Sequence, residues 1–123
     1  MSKFKILVCE DEKGSLTAIS NILAKNNYEV ASAGDGLQAI EQVKEIKPDA
    51  ILMDIRMPKI DGIEAAKRIR KFDDKVKIIF LSAFKSQELA SESAKYGSCD
   101  YIVKPASPEK ILAAIKSVLP AEK

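Results

Sequence analysis

Polar or charged side chains follow four apolar segments of this chain, and together they have the composition of a metal-assisted phosphoryl site. Each segment is predicted to be a buried β-strand, and the residues at the strand ends are Glu10 and Asp11, Asp54, Ser82 and Lys104. In a parallel sheet covered by helices, the carboxyl ends of the strands lie along one edge, where open α/β sheets place their sites. Three carboxylates, a hydroxyl and an ammonium group are therefore expected to meet in one crevice.

The elements that would position these residues alternate between strand and helix five times. Apolar segments predict strands at residues 4–9, 28–33, 49–53, 76–81 and 101–103, with apolar residues at helical spacing between and after them. Polar residues interrupt the second segment, which is typical of an edge strand. Right-handed crossovers then give an α/β fold, a doubly wound five-stranded parallel sheet with the order 2-1-3-4-5. The least apolar predicted helix, 86–96, is expected to be the least stable.

The length and charge of the chain limit the classes of function. The 123 residues correspond to one domain. The 20 basic and 18 acidic residues give a net charge of only +2, too small to attract nucleic acid or anionic lipid. No apolar run reaches the roughly 20 residues of a membrane span, so we expect a cytoplasmic protein.

A basic cluster falls at the end of a predicted helix, where we expect solvated side chains: Lys67, Arg68, Arg70 and Lys71. Cys9 and Cys99 are expected to be reduced thiols.

Oxygen ligands are expected for any bound metal, because the sequence contains no histidine. This favours magnesium, manganese or calcium over zinc or copper. Bare carboxylates about 4 Å apart repel by roughly 4 kcal/mol at an effective dielectric of 20, so Glu10, Asp11 and Asp54 require protonation or a cation. An aspartate can act as a nucleophile toward phosphorus, and Asp54, alone at its strand end, is the candidate. Lys104 and Ser82 offer a positive charge and a hydroxyl donor to a phosphoryl group.

In order and spacing, these residues resemble the motifs of the receiver domain of two-component response regulators. The resemblance covers about residues 3–119, and the matching residues are Glu10-Asp11, Asp54 to Pro58, Asp61-Gly62, Ser82-Ala83, Tyr101 and Lys104-Pro105. It implies the CheY-like, flavodoxin-like (βα)5 fold and a phosphoprotein that acts as a switch in signal transduction. Residues 1–123 are accordingly expected to be a single receiver domain.

The resemblance also implies a role for each site residue. Asp54 would accept a phosphoryl group from a phosphohistidine on a sensor histidine kinase or a histidine phosphotransfer protein. Glu10, Asp11, Asp54 and the backbone carbonyl of Arg56 would surround Mg²⁺, with Mn²⁺ as a possible substitute. Lys104 and Ser82 would hold the phosphoryl oxygens, and the Lys104-Pro105 peptide bond would be cis.

The implied switch involves Ser82 and Tyr101, which would move together on phosphorylation. Their movement would remodel the face formed by the fourth helix, fifth strand and fifth helix, and so control binding of a downstream effector. Arg56 and Phe84 lie at positions that tune hydrolysis of the phosphorylated aspartate in relatives. Bulky side chains at both positions lead us to expect slow hydrolysis.

Several alternatives remain open from the sequence. The end of the chain soon after Leu119-Pro120 favours a stand-alone switch or phosphorelay intermediate over the isolated receiver domain of a DNA-binding transcriptional regulator. Both a monomer and a weak phosphorylation-dependent homodimer are compatible with it. Such a protein would catalyse its own phosphorylation and dephosphorylation without being an ordinary multiple-turnover enzyme.

Two other classes of protein are disfavoured. A flavodoxin-like cofactor binder would need a first loop that attracts phosphate, whereas residues 10–14 are acidic. A magnesium-dependent phosphatase with a covalent aspartate usually has a second acid two residues after the nucleophile, and that position is Arg56 here.

Overall fold

Strands and helices alternate strictly along the computed structural model, which describes residues 3–123. The strands are β1 (Lys5–Cys9), β2 (Glu29–Ala33), β3 (Ala50–Asp54), β4 (Lys77–Ser82) and β5 (Ile102–Val103). The helices are α1 (Lys13–Lys25), α2 (Gly36–Ile46), α3 (Gly62–Arg70), α4 (Gln87–Tyr96) and α5 (Pro108–Val118). None of the helices within residues 3–123 has the length and apolar character needed to cross a bilayer.

The five strands form one parallel sheet in the order β2-β1-β3-β4-β5, so the predicted fold and the edge position of β2 are confirmed. Helices α1 and α5 pack on one face of the sheet through Ile19, Leu23, Ile111 and Ile115. Helices α2 and α3 pack on the other face, and α4 adds partly buried residues there. The continuous apolar strands are buried because both faces of the sheet are covered. This order places the ends of β1 and β3 at the point where the strand order reverses.

Two strand ends that hold candidate site residues lie one residue later than predicted. Asp54 is the last residue of β3 and pairs with Leu81, and Ser82 is the last residue of β4 and pairs with Val103. The prediction ended each strand at its last apolar residue, but ladder hydrogen bonds depend on the backbone and continue under a polar side chain. The sheet itself therefore fixes the backbones of both residues.

Helix starts near the site follow their capping residues. The Asp61 carboxylate accepts a hydrogen bond from the Glu64 amide at 2.8 Å and caps α3. The Ser107 hydroxyl caps α5 in the same way, with Pro108 at the first helical position. Cys9 and Cys99 are free thiols, as expected, and burial raises the pKa of each.

The expectation that the whole basic cluster of α3 is solvated is wrong for Arg70. Its guanidinium is partly buried and donates to the carbonyl of Tyr96 from Nε at 3.1 Å and from Nη2 at 2.7 Å. A third bond joins Nη1 to the carbonyl of Val76 at 2.6 Å. The side chain thus ties the last residue of α4 to α3 and to the segment before β4. Lys67, Arg68 and Lys71 are exposed, as predicted.

Replacing Arg70 by lysine should destabilise the protein by about 1–3 kcal/mol, because an ammonium group cannot reach both carbonyls with the planar geometry of a guanidinium. Urea unfolding measures this difference. Arg68→Lys is the matched control, because Arg68 is exposed and its i,i+4 pair with Glu64 is screened by solvent and contributes little to stability. Equal losses in the two variants would contradict the structural role of Arg70.

Candidate functional site

Three carboxylates lie together at the carboxyl edge of the sheet. Glu10 follows β1, Asp11 begins the next loop, and Asp54 ends β3, which neighbours β1. One ligand oxygen of each lies within 4.8 Å of the other two. Glu10 and Asp54 are buried, whereas Asp11 is exposed, so the cluster opens to solvent on the side of Asp11.

The Lys104 ammonium group bridges two of these carboxylates. Its Nζ lies 2.7 Å from Glu10 Oε1 and 2.7 Å from Asp54 Oδ2. Partial burial opposes the charge of Lys104, but the bonds to Asp54 and Glu10 outweigh it and raise the pKa of the lysine. Lys104 is therefore protonated over the whole physiological range. The bond between Lys104 and Pro105 is cis, as the resemblance implied.

Charge and ligand type at this cluster fit a hard divalent cation. Three carboxylates facing one ammonium group leave a formal charge of two negative units. Carboxylate oxygens are the ligands that Mg²⁺ and Ca²⁺ prefer, and Mg²⁺ usually keeps several waters beside one or two carboxylates. The exposed side of the cluster leaves room for such waters. The donor set is thus compatible with Mg²⁺, and Glu10, Asp11 and Asp54 are the side chains that could hold it.

Backbone amides orient two of the carboxylates. The Arg56 amide lies 3.3 Å from Asp54 Oδ1, and the Glu12 amide lies 3.3 Å from Glu10 Oε2. Both distances are at the long end of the range for hydrogen bonds. Among residues 3–123, Asp54 Oδ1 has only this weak partner while Oδ2 faces Lys104, so Oδ1 is the freer of the two oxygens.

Ser82 lies on the same edge, one residue beyond the ladder partner of Asp54. Its side chain is buried, and its Oγ accepts a hydrogen bond from the Phe84 amide at 3.0 Å. The Ser82 carbonyl accepts from the Lys104 amide at 2.7 Å, which links the ends of β4 and β5. The hydroxyl proton remains available to a further acceptor.

A cation–π contact lies at the solvent side of this edge. The Arg56 guanidinium carbon is 5.0 Å from the centroid of the Phe84 ring, and Phe84 is 52% exposed. Two exposed side chains from the loops after β3 and β4 are thereby held against each other.

The Tyr101 hydroxyl contacts the backbone of Ser86, the residue that caps α4. It accepts a hydrogen bond from the Ser86 amide at 3.2 Å, and it lies 3.5 Å from the Ser86 carbonyl oxygen. Ser86 Oγ in turn accepts from the Leu89 amide. The ring of Tyr101 is thus connected to the start of α4, the helix with the fewest buried residues among the five.

Three residues near the site were not identified from the sequence. Glu12 caps α1, and hydrogen bonds from the Ser15 and Gly14 amides lower its pKa. Glutamate is an unusual capping residue, so no sequence signal marked this role. Asp35 caps α2 and pairs with Lys59 at 3.4 Å; the Gln38 amide, with a smaller contribution from Lys59, lowers the pKa of Asp35. Of these three residues, only Asp35 could have been identified from a capping motif in the sequence.

Comparisons with known proteins agree with this geometry. A model of the response regulator receiver domain matches residues 6–116. The chemotaxis protein CheY of Thermotoga maritima is 40% identical over 115 residues, which cover 93% of this chain and 96% of that protein. The sporulation initiation phosphotransferase F of Bacillus subtilis is 32% identical over 120 residues, covering 98% and 97% of the two chains.

A solved structure shows the same fold. The CheY chain in a Borrelia burgdorferi complex that contains CheX, BeF3 and Mg²⁺ aligns with a TM-score of 0.88 and 29% identity, covering 94% of this chain and 88% of that chain. One conclusion follows from the order of the parallel sheet, the acidic cluster and the family match over nearly the whole chain. The chain belongs to the response regulator receiver domain family of two-component signalling proteins.

Proposed function

We propose that this protein accepts a phosphoryl group on Asp54 in a reaction that depends on Mg²⁺. One observation carries the proposal. The buried carboxylate of Asp54 shares the Lys104 ammonium with Glu10, and its oxygen lies close enough to those of Glu10 and Asp11, within 4.8 Å, for the three to bind one cation. A carboxylate in this position would have a cation site on one side and the Lys104 ammonium group on the other. Both features stabilise the charge that develops when a phosphoryl group is transferred.

Glu10, Asp11, Asp54 and the backbone carbonyl of Arg56 would hold the cation, with Mn²⁺ as a substitute of similar ligand preference. Bound there, Mg²⁺ would neutralise negative charge on the transferring group. The presence of Mg²⁺ in the complex of the Borrelia burgdorferi relative supports this choice.

The transfer forms one bond and breaks one. An oxygen of Asp54 attacks phosphorus in line with the phosphorus–nitrogen bond of a phosphohistidine. That bond breaks, and the imidazole leaves with the electron pair and takes up a proton from solvent. Lys104 would then move from its carboxylate partners toward a phosphoryl oxygen, and Ser82 would donate its hydroxyl proton to another.

The donor would be a sensor histidine kinase or a histidine phosphotransfer protein, and the product state would bind a downstream effector. The connection from Tyr101 to Ser86 supports the α4–β5–α5 face as the responsive surface, because it joins the residue before β5 to the start of α4, the helix with the fewest buried residues. A switch of this kind needs two packings of similar free energy that the phosphoryl group biases. Residues 1–123 would form a single receiver domain that acts as a phosphorelay intermediate or an output switch, and as a monomer or a weak phosphorylation-dependent homodimer.

Mass spectrometry after incubation with acetyl phosphate tests the proposal. With Mg²⁺ we expect the intact protein to gain the mass of one phosphoryl group, and peptide mapping to place it on Asp54. Chelation with EDTA should prevent the gain, and Mn²⁺ should restore it. Labelling that is unchanged by EDTA, or that maps elsewhere, would refute the proposal.

The contact between Arg56 and Phe84 would slow hydrolysis of the phosphorylated aspartate by limiting the approach of water. Phe84→Ala should therefore speed loss of the phosphoryl group by about twofold to fivefold, as expected if an exposed contact of roughly 0.5–1 kcal/mol is lost. Phosphate release after removal of acetyl phosphate measures the rate. Phe72→Ala is the matched control, because Phe72 is similarly exposed and stacks with Lys44 at 5.0 Å. An equal rate in both variants would contradict this role of Phe84.

A further inference from the structure

The start of α2 lies against the loop that connects β3 to α3, called here the β3–α3 loop (residues 55–61). Gly36, the first residue of α2, is buried, and a methyl group added to it would overlap Cγ1 and the backbone oxygen of Ile60. A side-chain atom can rotate away from such an overlap, but a backbone oxygen moves only with its loop. Glycine at this position therefore permits direct contact between the helix and the backbone of the loop.

An ion pair joins the same two segments. Asp35, the residue before Gly36, caps α2 by accepting a hydrogen bond from the Gln38 amide at 2.8 Å, and its Oδ2 lies 3.4 Å from Lys59 Nζ. Lys59 has a φ of 71°, a left-handed conformation that a lysine rarely adopts. The contacts of Asp35 and Gly36 thus cover two successive residues of the loop, Lys59 and Ile60.

The other end of the loop contacts the candidate cation site. The Gly62 amide donates to the Ile55 carbonyl at 2.7 Å and closes the loop, and a methyl group on Gly62 would overlap the Asp54 carbonyl oxygen. Within the loop, the Arg56 amide faces Asp54 Oδ1 at 3.3 Å. A shift of Ile60 would therefore be transmitted through a short closed loop to Arg56 and to the carboxylate of Asp54.

We propose that Gly36 is a positioning residue for the divalent-cation site, although α2 contributes no ligand to it. By allowing the first turn of α2 to contact Ile60, Gly36 holds the β3–α3 loop where the backbone of Arg56 meets the carboxylate of Asp54. The inference rests on the proposed function, because it takes the acidic cluster to be a Mg²⁺ site. Mg²⁺ requires near-ideal octahedral geometry, so its affinity is sensitive to a small displacement of this loop.

The test compares Gly36→Ala with Gly34→Ala. Both variants add one methyl group near the start of α2, Gly34 two residues before its first residue, but at Gly34 the methyl would meet only Gln38 Oε1, at an ordinary 3.7 Å. Isothermal titration calorimetry of the unphosphorylated protein with MgCl₂, well below the melting temperature, measures the dissociation constant. We expect Gly36→Ala to weaken Mg²⁺ binding by about tenfold or more, consistent with a displacement of order 1 Å. The dissociation constant of Gly34→Ala for Mg²⁺ should stay within about twofold of the wild-type value, since its added methyl group displaces no neighbouring atom.

Two further measurements separate positioning from a general loss of stability. The backbone amide NMR shifts of Arg56 and Ile60, recorded without Mg²⁺, should change in Gly36→Ala and not in Gly34→Ala. If Gly36→Ala does not fold, Ile60→Ala decides, because it removes the side-chain part of the contact without pushing the loop. It should weaken Mg²⁺ binding in the same direction, by about threefold, a value set by the partial loss of the contact.

The possible outcomes distinguish this inference from the proposed function. Wild-type affinity for Mg²⁺ in folded Gly36→Ala, or in Ile60→Ala when the former does not fold, would overturn the positioning role and leave the proposed function intact. A wild-type protein that does not bind Mg²⁺ would overturn the proposed function, and the positioning role with it.

Discussion

Replacing Asp54 by asparagine should abolish labelling by acetyl phosphate in the presence of Mg²⁺. Asparagine has nearly the same shape, so the packing at the end of β3 is kept, but an amide oxygen is not a nucleophile toward phosphorus under these conditions. A rate below detection corresponds to a loss of at least about a thousandfold, or roughly 4 kcal/mol of transition-state stabilisation. Intact-protein mass spectrometry measures the labelling directly.

Asp49→Asn is the matched control for this experiment. Asp49 lies just before the opposite end of β3, and its Oδ2 accepts a hydrogen bond from the Lys5 amide at 2.7 Å, which asparagine can preserve. This variant should be labelled at the rate of the wild type. If Asp54→Asn is still labelled, the phosphoryl acceptor is another residue, and Asp11 is the first candidate because it is the exposed member of the cluster.

Folding of the Asp54→Asn variant should not be impaired. Lys104 keeps Glu10 as a partner at 2.7 Å, and the repulsion among the three carboxylates is reduced. We therefore expect a melting temperature equal to or above that of the wild type without Mg²⁺. This result separates a lost nucleophile from a damaged fold.

The fold could be predicted because the topology of a parallel sheet gathers residues that are distant in the sequence. Glu10 and Asp54 lie 44 positions apart, yet each follows or ends a strand, and β1 and β3 are neighbours. The apolar strands and their polar ends are visible in the sequence, and right-handed crossovers restrict the strand order. The juxtaposition of the acidic residues with Ser82 and Lys104 follows from these facts alone.

The partners of individual side chains were much less predictable. The family resemblance implies that Lys104 holds phosphoryl oxygens, whereas in this structure it bridges Glu10 and Asp54 and so provides the compensating cation that three carboxylates require. The sequence places Lys104 at the right edge of the sheet, but the partner that it selects depends on which charges are present. A long flexible side chain with three donors can serve either purpose.

Contacts between a side chain and a distant backbone were missed altogether. The position of Arg70 in a basic cluster at the end of a predicted helix indicates a solvated side chain, yet Arg70 donates to the carbonyl of Tyr96, 26 residues away. The contact of Gly36 with Ile60 has no sequence signal beyond a glycine at the start of a helix. Such contacts depend on how closely two elements approach each other, which apolar periodicity does not specify.

Replacing Lys104 by alanine should destabilise the protein in the absence of Mg²⁺ and make it more dependent on Mg²⁺. Glu10 and Asp54 are 3% and 5% exposed, and without Lys104 they would face each other with no positive partner. Leaving buried charged groups unpaired costs about 1–3 kcal/mol or more. The loss should appear as a lower melting temperature, measured by circular dichroism in EDTA.

Addition of Mg²⁺ should raise the melting temperature of Lys104→Ala by more than that of the wild type. The ammonium group of Lys104 competes with a bound cation for Glu10 and Asp54, so its removal should make Mg²⁺ binding tighter than in the wild type. Labelling by acetyl phosphate should nevertheless become slower, because the lysine would no longer stabilise the phosphoryl oxygens. Tighter metal binding with slower labelling is a combination that simple damage to the site does not produce.

The raised pKa of Lys104 predicts how its contribution to stability changes with pH. The pKa of Lys104 is raised in the folded protein, so its contribution to stability is fully present below the ordinary value of 10.5 and is lost as pH rises through the folded value. The stability difference between the wild type and Lys104→Ala should therefore be constant near neutral pH and shrink only above 10.5.

Lys123→Ala is the control for removal of a lysine beside a carboxylate. Its Nζ lies 2.9 Å from Asp49 Oδ2, its side chain is 37% exposed, and the pair should contribute no more than about 1 kcal/mol. It should show neither the loss of stability in EDTA nor the enhanced response to Mg²⁺. If Mg²⁺ stabilises Lys104→Ala no more than the wild type, Lys104 does not compete with the cation, and the acidic cluster is not the place where Mg²⁺ binds.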